Sequence, residues 1–352
     1  AGTFVYSPTT GTRLAVGTHT LSVTFTPSNS AYDPDTTTVT INVTAKTLTV
    51  TGISAANRVY DATTGATALL DKSSAALSGV ESGDTVTMDH TSATATFGDK
   101  NVGTGKTVTI SGITIDGADS SNYSLTQPTT TANITAKTLT VSGITANNKT
   151  YNASTTATLN TGSAAFVGIE SGDTVTIGVG SATGAFADKN IGTGKTVQVS
   201  GVTKSGTDAG NYTITQPTTT ANITAKTLTV SGITAANRVY DATTNATALL
   251  DKTSAVLSGV ESGDTVTMSH TSATASFADK NVGSGKTVNI AGITISGTDS
   301  GNYTLTQPTT TANIGSSRNA SWSLRSSYPN ARPKTRCAIN SPAVCSIRSG
   351  SR

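Results

Sequence analysis

Apolar residues alternate with threonine along most of this chain. In the segment KTLTV, Leu48 and Val50 are separated by Thr, and in TVTI the same holds for Val108 and Ile110. A period of two places the apolar side chains on one face of a β-strand and the threonines on the other. The pattern therefore predicts an all-β protein made of many half-buried strands.

The alternating segments recur as long repeats. The string QPTTTANITAKTLTV stands at 127–141 and again at 216–230, while its halves occur separately as TAKTLTV at 44–50 and QPTTTANI at 307–314. Self-similarity at a fixed spacing indicates a tandem array of one structural unit. No Gly/Ser-rich linker separates the units. We therefore predict that the last strand of one unit leads into the first strand of the next through a short, stiff joint.

The repeats divide the chain into five segments. Residues 45–135, 136–224 and 225–314 are three full copies, 1–44 is a shorter β segment, and 315–352 lacks alternation. About 44 residues are too few for a free-standing sandwich, so we interpret the first segment as the C-terminal part of a truncated domain. In it, Leu21, Val23 and Phe25 alternate on one face, and Val39, Ile41 and Val43 do the same.

Each copy is predicted to be an immunoglobulin-like antiparallel β-sandwich. Seven to nine short strands in about 90 residues, joined by turns rich in Gly, Asp and Asn, are typical of that fold. Three such sandwiches in series would form an elongated rod, each adding roughly 35–40 Å. The strands predicted in the first copy are 46–53, 57–61, 67–70, 85–88, 93–97, 106–110, 113–115, 122–126 and 130–134. The predicted core is Leu48, Val50, Ile53, Tyr60, Leu69, Val86, Met88, Phe97, Val108, Ile110, Ile113, Tyr123, Leu125 and Ile134.

Composition and charge narrow the functional classes. The residues before Gly315 hold all 20 acidic residues and 16 of the 23 basic ones, which gives residues 1–314 a net charge of −4. We therefore expect no nucleic-acid partner, because a basic surface is the usual requirement. No apolar run approaches the roughly 18 residues of a membrane span, so no membrane insertion is expected.

The string GKT followed by Val occurs three times and resembles part of a phosphate-binding loop. Such a loop needs a Gly where Lys100, Lys189 and Lys280 stand. It also needs a helix afterwards, whereas a strand is predicted here. We interpret each GKT as part of a hairpin loop whose Gly residues adopt positive φ.

Three ESGD segments offer paired carboxylates. They could be acid pairs or parts of a cation site, but no Asp-x-Asp-x-Asp ladder supplies the six or so oxygens of a calcium site. We favour a β-turn with solvated carboxylates. The pairs are Glu81 with Asp84, Glu170 with Asp173, and Glu261 with Asp264.

No metal site or catalytic group is predicted from histidine or cysteine. His19, His90 and His270 lack an accompanying Ser or Asp constellation, and we expect them to be surface histidines on strands. Cys337 and Cys345 are the only cysteines and have no His nearby. They could form a disulfide bond with each other, but two such cysteines do not form a zinc site, and we interpret them as incidental.

Aromatic and threonine residues offer a binding alternative. Tyr60, Tyr151 and Tyr240 occupy equivalent positions. We predict that they are anchors at the edge of the core, with the hydroxyl bonded to the backbone, rather than platforms for a ligand. The Thr-x-Thr strands could form flat hydroxyl and methyl arrays that bind a glycan or ice. Solvent-facing threonine is, however, ordinary on strands.

Four motifs recur in order in all three copies and carry a family resemblance. They resemble the YDG domain, which occurs in tandem in filamentous-haemagglutinin-like adhesins of Gram-negative bacteria. That family usually has Gly after Tyr-Asp, where this chain has Ala62, Ala153 and Ala242. We interpret the change as loop variation. In the first copy the motifs are AKTLTVTGI at 45–53, VYDATT at 59–64, DKNVGTGKTVTI at 99–110 and SNYSLTQPTTTANI at 121–134.

The resemblance implies a structural role on a bacterial surface. Residues 1–44, through GTFVYSP and GTHTLSVTFTP, resemble the C-terminal half of a bacterial immunoglobulin-like repeat. Together the segments imply stalk repeats of a secreted adhesin displayed at a Gram-negative outer membrane. Such repeats contact their neighbours in the chain and present a distal domain to a host surface or biofilm matrix. No cofactor and no enzymatic activity are implied.

The last segment, 315–352, departs from the pattern. It has many Arg, Ser and Pro residues and no alternation. One hypothesis is that it is an out-of-frame or cloning-derived sequence. We predict that it is disordered.

Overall fold

The structure, a computed structural model, describes residues 1–316. These residues form β-strands and five single-turn 3-10 helices, which confirms the all-β prediction. No helix in this range is long and apolar enough to cross a membrane. The chain divides into two compact units. The first comprises Ala1–Leu228, Gly259–Thr267 and Ser296–Thr304, and the second comprises Thr229–Ser258, Met268–Ile295 and the described residues from Leu305 onward.

Residues 1–44 form one antiparallel sheet with the order β1-β2-β3. Its strands are β1 (Gly2–Ser7), β2 (Gly17–Pro27) and β3 (Asp35–Val43). Leu21 lies opposite Val39, so the two predicted apolar faces adjoin as the alternation indicates. Several large side chains of this sheet are nevertheless exposed, namely Phe4, Tyr6, Val39 and Ile41.

The first repeat contains eleven strands and two 3-10 turns. The strands are β4 (Lys46–Thr51), β5 (Ser54–Ala55), β6 (Arg58–Val59), β7 (Leu70–Asp71), β8 (Ala76–Ser78), β9 (Thr87–Asp89), β10 (Thr94–Phe97), β11 (Gly103–Ser111), β12 (Thr114–Asp116), β13 (Tyr123–Thr126) and β14 (Thr129–Thr135). The 3-10 turns are Thr67–Leu69 and Ser120–Asn122.

Two sheets carry most of this repeat, with the orders β10-β11-β14-β6 and β13-β4-β8. Most pairs are antiparallel, as predicted, but β13 pairs with β4 and β14 pairs with β6 in parallel. Alternation reports only which face a side chain takes, and that is the same in both pairings. The parallel contacts therefore could not be derived from the pattern.

Predicted and observed strands differ at several places. The predicted strand 67–70 is mainly a 3-10 turn, β5 and β8 were not predicted, and the predicted strand 57–61 shrinks to the two residues of β6. Tyr60 follows β6, where its N–H donates to the carbonyl of Thr135. The last residue of the repeat therefore determines where this tyrosine lies.

The core of the first repeat draws on both sheets. Nine of the fourteen predicted residues are buried, whereas Ile53, Leu69, Val86, Met88 and Leu125 are only half-buried. Alanines were missed, because a small residue carries little apolar signal yet allows close packing. The buried alanines are Ala66, Ala93, Ala95 and Ala132.

The second and third repeats reproduce this arrangement. Single residues, Ala136 and Ala225, separate the last strand of one repeat from the first strand of the next. The strands of the second repeat are β15 (Lys137–Ser142), β16 (Thr145–Ala146), β17 (Lys149–Thr150), β18 (Thr156–Ala157), β19 (Leu159–Asn160), β20 (Ala165–Val167), β21 (Thr176–Gly178), β22 (Thr183–Phe186), β23 (Gly192–Ser200), β24 (Thr203–Ser205), β25 (Tyr212–Ile214) and β26 (Thr218–Thr224), with a 3-10 turn at Ala209–Asn211.

The third repeat follows the same order, and 3-10 turns lie at Thr247–Leu249 and Ser300–Asn302. Its strands are β27 (Lys226–Ser231), β28 (Thr234–Ala235), β29 (Arg238–Val239), β30 (Leu250–Asp251), β31 (Val256–Ser258), β32 (Thr267–Ser269), β33 (Thr274–Phe277), β34 (Gly283–Ala291), β35 (Thr294–Ser296), β36 (Tyr303–Leu305) and β37 (Thr309–Gly315).

The VYDATT loop holds a left-handed residue in every repeat. Ala62, Ala153 and Ala242 have φ of 60°, 55° and 65°. A residue with a Cβ atom is strained in this region, whereas Gly is not. The loop position that we interpreted as simple variation is therefore a strained one, and the geometry explains why Gly is preferred there.

The GKT segments are not phosphate loops. Gly105 has a φ of 59°, which confirms the predicted positive φ. It lies, however, within β11 at a β-bulge between Gly103 and Lys106, and not in the connecting loop. Its N–H donates to Asn133 Oδ1 at 2.7 Å, and Lys106 Nζ donates to Asp99 Oδ1 at 2.6 Å.

Candidate functional site

The polar residues that the sequence left without a role come together where one repeat meets the next. Lys100 of the first repeat donates to Asp173 Oδ1 of the second at 2.6 Å. Lys189 of the second repeat donates to Asp264 Oδ1 of the third at the same distance. All four residues belong to the first compact unit. We name the two sites the first and second junction clusters.

The carboxylate of Asp173 is the centre of the first junction cluster. Its Oδ2 accepts one hydrogen bond from Tyr60 at 2.7 Å and another from Tyr212 at 2.6 Å. The Asp173 side chain is fully buried, with 0% exposure. A buried charge is tolerated only when it is paired and hydrogen-bonded, and here three donors from two repeats meet that requirement.

Lys100 contacts a second carboxylate as well. Its Nζ lies 3.2 Å from Asp208 Oδ1 and 5.9 Å from the centre of the Tyr60 ring. Asp208 is held in turn by the N–H of Thr174, which donates to Oδ2 at 3.0 Å. The lysine therefore bridges two acidic residues of the next repeat while resting beside an aromatic ring.

An asparagine side chain forms hydrogen bonds with the neighbouring repeat across the same junction. Asn211, which is buried, accepts a hydrogen bond from the N–H of Val102 at 2.9 Å and donates to Asn101 Oδ1 at 3.2 Å. Since the side-chain amide is both donor and acceptor, it fixes the alignment of two loops at once.

Aromatic packing makes the junction continuous with the core. The rings of Tyr60 and Tyr212 meet edge to face, 5.4 Å apart at 75°. Both tyrosines, together with Leu139 of the second repeat, belong to the core cluster of the first repeat. This packing shields the Asp173 carboxylate from water, which strengthens the hydrogen bonds that it accepts.

The junction has two faces, which we name for their central residues. The lysine face of the first repeat consists of Tyr60, Lys100, Asn101 and Val102. The aspartate face of the second repeat consists of Asp173, Asp208, Asn211 and Tyr212. Each repeat carries both faces.

The second junction cluster repeats the first in detail. Tyr151 and Tyr303 donate to Asp264 Oδ2 at 2.7 and 2.6 Å, and Lys189 Nζ lies 3.2 Å from Asp299 Oδ1. Asn302 accepts from the N–H of Ile191 at 3.0 Å and donates to Asn190 at 3.1 Å. The edge-to-face distance, from Tyr151 to Tyr303, is 5.3 Å.

Local turns place the aspartate face. In ESGD, the N–H of Asp173 donates to the carbonyl of Glu170 at 3.2 Å, which confirms the predicted β-turn. The N–H of Glu170 then donates to the Tyr212 hydroxyl at 2.9 Å. The 3-10 turn Ala209–Asn211 ends immediately before Tyr212, so that Asn211 and Tyr212 emerge together.

The bulge next to GKT places the lysine face. Asp99 accepts from the N–H of Asn101 at 2.7 Å and from Lys106 Nζ at 2.6 Å. Because Asp99 is tied on both sides, the DKN loop presents Lys100 and Asn101 in a fixed orientation.

The charges of the first junction cluster are reinforced by its contacts. Burial alone would raise the pKa of Asp173, but hydrogen bonds from Lys100, Tyr212 and Tyr60 outweigh it and hold the pKa below the ordinary 3.8. The Asp173 hydrogen bond, followed by that of Tyr60, raises the pKa of Lys100. Burial, followed by the Asp173 hydrogen bond, raises the pKa of Tyr212. In the second cluster the same causes raise the pKa of Tyr303 to about 12.

A related contact links residues 1–44 to the first repeat. Arg13 donates to Asp84 Oδ1 at 3.1 Å, and the N–H of Val16 donates to Asn122 Oδ1 at 2.9 Å. Tyr123 donates to Asp84 Oδ2 at 2.7 Å. The aspartate face of the first repeat is thus occupied by a different partner.

Several sequence interpretations need correction here. The ESGD carboxylates of Asp173 and Asp264 are buried and paired, not solvated. Tyr60 and Tyr151 are buried as predicted, but their hydroxyls bond to carboxylates instead of the backbone. Tyr240 is 40% exposed, so the prediction of an anchor is wrong for this residue.

The three histidines are not among the residues of the junction clusters. His90 and His270 are half-buried and follow β9 and β32, so they are neither fully exposed nor within the strands. His19 is half-buried in β2, with Nε2 2.6 Å from the carbonyl of Ala15. Cys337 and Cys345, with the rest of the tail prediction, lie outside the described residues.

Sequence reasoning missed most of the aspartate face and gave the lysine face another role. The available signal was constancy within the chain itself. The middle copy differs most from the others, yet it keeps Asp-Lys-Asn at 188–190 and Asn-Tyr at 211–212. Polar residues kept in all three copies but facing no predicted core would have indicated an interface.

The arrangement supports docking of one repeat on the next. Within residues 1–316 no three His, Cys, Asp or Glu side chains are grouped to hold a metal ion. Each of the two buried acids accepts three hydrogen bonds, one from a lysine and two from tyrosines. The clusters hold repeats together.

The sequence comparison gives a family. The YDG domain matches three times, at residues 44–132, 135–221 and 224–312, which is most of the chain. The chain belongs to the YDG-domain family. All three matched ranges include both the ESGD turn and the DKN loop, so the junction residues are part of the YDG repeat itself. No curated protein matches this chain in sequence.

The comparison with solved structures finds similarity at low sequence identity and low TM-score. The chain is similar to Drosophila N-cadherin EC1-4, with 10% identity over 85% of this chain and 83% of that one, at a TM-score of 0.24. It is also similar to a Ca²⁺-stabilized adhesin with which an Antarctic bacterium binds ice, with 18% identity over 84% and 81% of the two chains, at a TM-score of 0.17. These scores carry no argument about architecture.

Proposed function

We propose that this chain is a non-enzymatic spacer of a secreted bacterial surface adhesin. Its YDG repeats would project a distal binding domain away from a Gram-negative outer membrane. The observation that carries the proposal is the buried junction cluster, which occurs twice with nearly identical distances. A spacer that transmits position needs joints of fixed geometry, and an enzyme or a flexible linker does not.

The linkers support the same role. One residue, Ala136, connects β14 to β15, and Ala225 connects β26 to β27. Such a joint has almost no conformational freedom of its own. The buried hydrogen bonds then select one orientation from the few that remain.

A distance measurement tests whether the first junction is rigid. Spin labels would be placed at Thr109 and Gln198, which are exposed and hold equivalent positions in β11 and β23. Cys337 and Cys345 would first be replaced by Ser. We expect double electron–electron resonance to give a narrow distance distribution, and the Asp173→Ala variant to broaden it.

The matched control is Asp84→Ala, which removes the equivalent carboxylate one repeat earlier and should leave the Thr109–Gln198 distribution unchanged. A distribution in the parent protein as broad as that in Asp173→Ala would contradict the proposed spacer.

A second candidate function is weak binding of a glycan or ice by threonine faces. In the first repeat, Thr109 lies between Thr96 and Thr129 on neighbouring strands, and all three are exposed. This row of threonines on adjacent strands supports the alternative that the alternation suggested. Thermal hysteresis and glycan-array binding of the whole chain, compared with a Thr96→Val/Thr109→Val variant, test this function. Binding that the variant loses would favour it over the spacer.

A further inference from the structure

The third repeat carries a lysine face whose counterparts in the other repeats are occupied. It consists of Tyr240, Lys280, Asn281 and Val282, which match the residue types of the first repeat at every position. This face lies in the second compact unit.

Exposure separates this face from the two occupied ones. Tyr60 and Tyr151 are 2% and 1% exposed, whereas Tyr240 is 40% exposed. Lys280 is exposed, while Lys100 and Lys189 are half-buried. Within residues 1–316, no carboxylate pairs with Lys280 and no asparagine side chain accepts from the N–H of Val282.

The exposed face nevertheless has the local contacts of the occupied faces. The N–H of Tyr240 donates to the carbonyl of Gly315 at 2.8 Å, as that of Tyr60 does to Thr135. The N–H of Asn281 donates to Asp279 Oδ1 at 2.8 Å, which also pairs with Lys286. Because its backbone is already in place, little conformational entropy would be lost when a partner binds.

We infer that this face binds the aspartate face of another YDG repeat. The partner would place an ESGD aspartate against Lys280 and the Tyr240 hydroxyl, and an asparagine amide against the N–H of Val282. The inference rests on the proposed spacer function and names the partner of its joint.

Charge and shape both favour this occupant. The face offers an ammonium group, a phenol hydroxyl and the N–H of Val282, while the aspartate face offers a carboxylate pair and an amide oxygen in matching order. The same pairing occurs twice in this chain, with Lys–Asp distances of 2.6 Å each time.

The test joins a fourth repeat to the chain. Residues 315–352 would be replaced by Thr followed by a copy of residues 136–224, which restores the one-residue linker. So short a linker gives a very high effective concentration, so that a competent face must bind. Nitration of Tyr240 by tetranitromethane, followed by peptide mass spectrometry, reports whether the face is covered.

In the original chain we expect Tyr240 to react at rates comparable to Tyr6 and Tyr32, which are also exposed. In the extended chain its rate should fall at least about tenfold, towards those of Tyr60 and Tyr151. The low reactivity of Tyr60 and Tyr151 serves in every sample as the check that the repeats are folded.

Two variants of the extended chain make the result specific. Lys280→Glu, and Asp173→Ala in the appended copy alone, should each restore the reactivity of Tyr240. The native Asp173 stays intact in the second variant.

Three results would overturn the inference: Tyr240 stays reactive in the extended chain, its protection survives both variants, or it is already protected in the original chain. The last would mean that residues 317–352 or a second copy cover the face, and a dilution series separates these two. The proposed spacer function is judged independently, by the Thr109–Gln198 distances.

Discussion

Two junctions of this chain share an aspartate face but differ in what covers it. Asp84 and Asp173 both end an ESGD turn and accept a tyrosine hydroxyl, from Tyr123 at 2.7 Å and Tyr212 at 2.6 Å. Asp173 has 0% exposure of its side chain, whereas Asp84 has 18% and is paired with Arg13, which is 74% exposed.

The difference comes from one aromatic residue. Tyr60 covers Asp173 and donates to it, but residues 1–44 place no tyrosine against Asp84 and leave an open cleft lined by Arg13, Val16, Glu81 and Asp84. The backbone contact is kept, because the N–H of Val16 takes the role of that of Val102. An aspartate face can therefore bind either residues 1–44 or a lysine face. The carboxylate is fully buried only where a second tyrosine, Tyr60 in the first junction cluster, covers it.

Removing each carboxylate should produce the largest contrast. Asp173→Ala leaves two tyrosine hydroxyls without their acceptor and Lys100 with Asp208 as its remaining carboxylate, and we expect a loss of about 2–4 kcal/mol in unfolding free energy. Asp84→Ala exposes its partners to water and should cost about 1 kcal/mol. Differential scanning calorimetry of the whole chain measures both. Equal losses would show that the two joints are energetically alike.

Acid should weaken the first junction cluster by protonating the Asp173 carboxylate. The folded-state pKa of Asp173 lies below its ordinary 3.8, so its stabilisation is present above pH 3.8 and is lost as the pH falls through the folded-state value. Between pH 5 and pH 2, roughly the titration range of a carboxyl group, the melting temperature should fall less steeply in Asp173→Asn than in the parent. Parallel pH profiles would assign acid sensitivity to other groups.

Deleting the Tyr60 hydroxyl should make the first junction cluster resemble the contact between residues 1–44 and the first repeat. Tyr60→Phe keeps the ring packing but removes one of three donors to Asp173, and we expect a cost of about 1.5 kcal/mol. Tyr6, in the sheet formed by residues 1–44, is 55% exposed, so Tyr6→Phe is the matched control and should change stability little. If Tyr60→Phe changes the unfolding free energy as little as Tyr6→Phe does, the ring packing of Tyr60 and not its hydroxyl stabilises the first junction cluster.

The smallest effect concerns the loop behind the lysine face. The non-Gly residues with positive φ among those described are Ala62, Ala153 and Ala242, and residues 1–44 contain none. Ala62→Gly should raise the unfolding free energy by about 0.5–1 kcal/mol, since relief of left-handed strain exceeds the entropy cost of Gly. Urea unfolding followed by circular dichroism measures it. A loss of stability would mean that the loop is not strained at this residue.

The fold followed from the sequence wherever alternation was strong. Leu48, Val108 and Ile110 were placed correctly because a two-residue period identifies a buried face directly. Ala95 and the parallel pairing of β13 with β4 were not, because small side chains and strand direction leave no mark on that period.

The junctions were hidden for a different reason. Lys100 and Asp173 are 73 residues apart, and each lies in a turn where charged residues are ordinary. Turn propensities explain why a polar residue occurs in a loop, but they do not reveal which residue of another repeat contacts it. The buried Lys100–Asp173 ion pair is visible only in the structure, where the two loops are in contact.

Because every repeat carries both a lysine face and an aspartate face, the number of repeats can change without any change in the sequence of a repeat. Excising residues 136–224 as a block would bring Lys100 and Tyr60 opposite Asp264, with the same partners in the same order. Unequal recombination between copies can then shorten or lengthen the protein in steps of one repeat, and each product already has complementary ends.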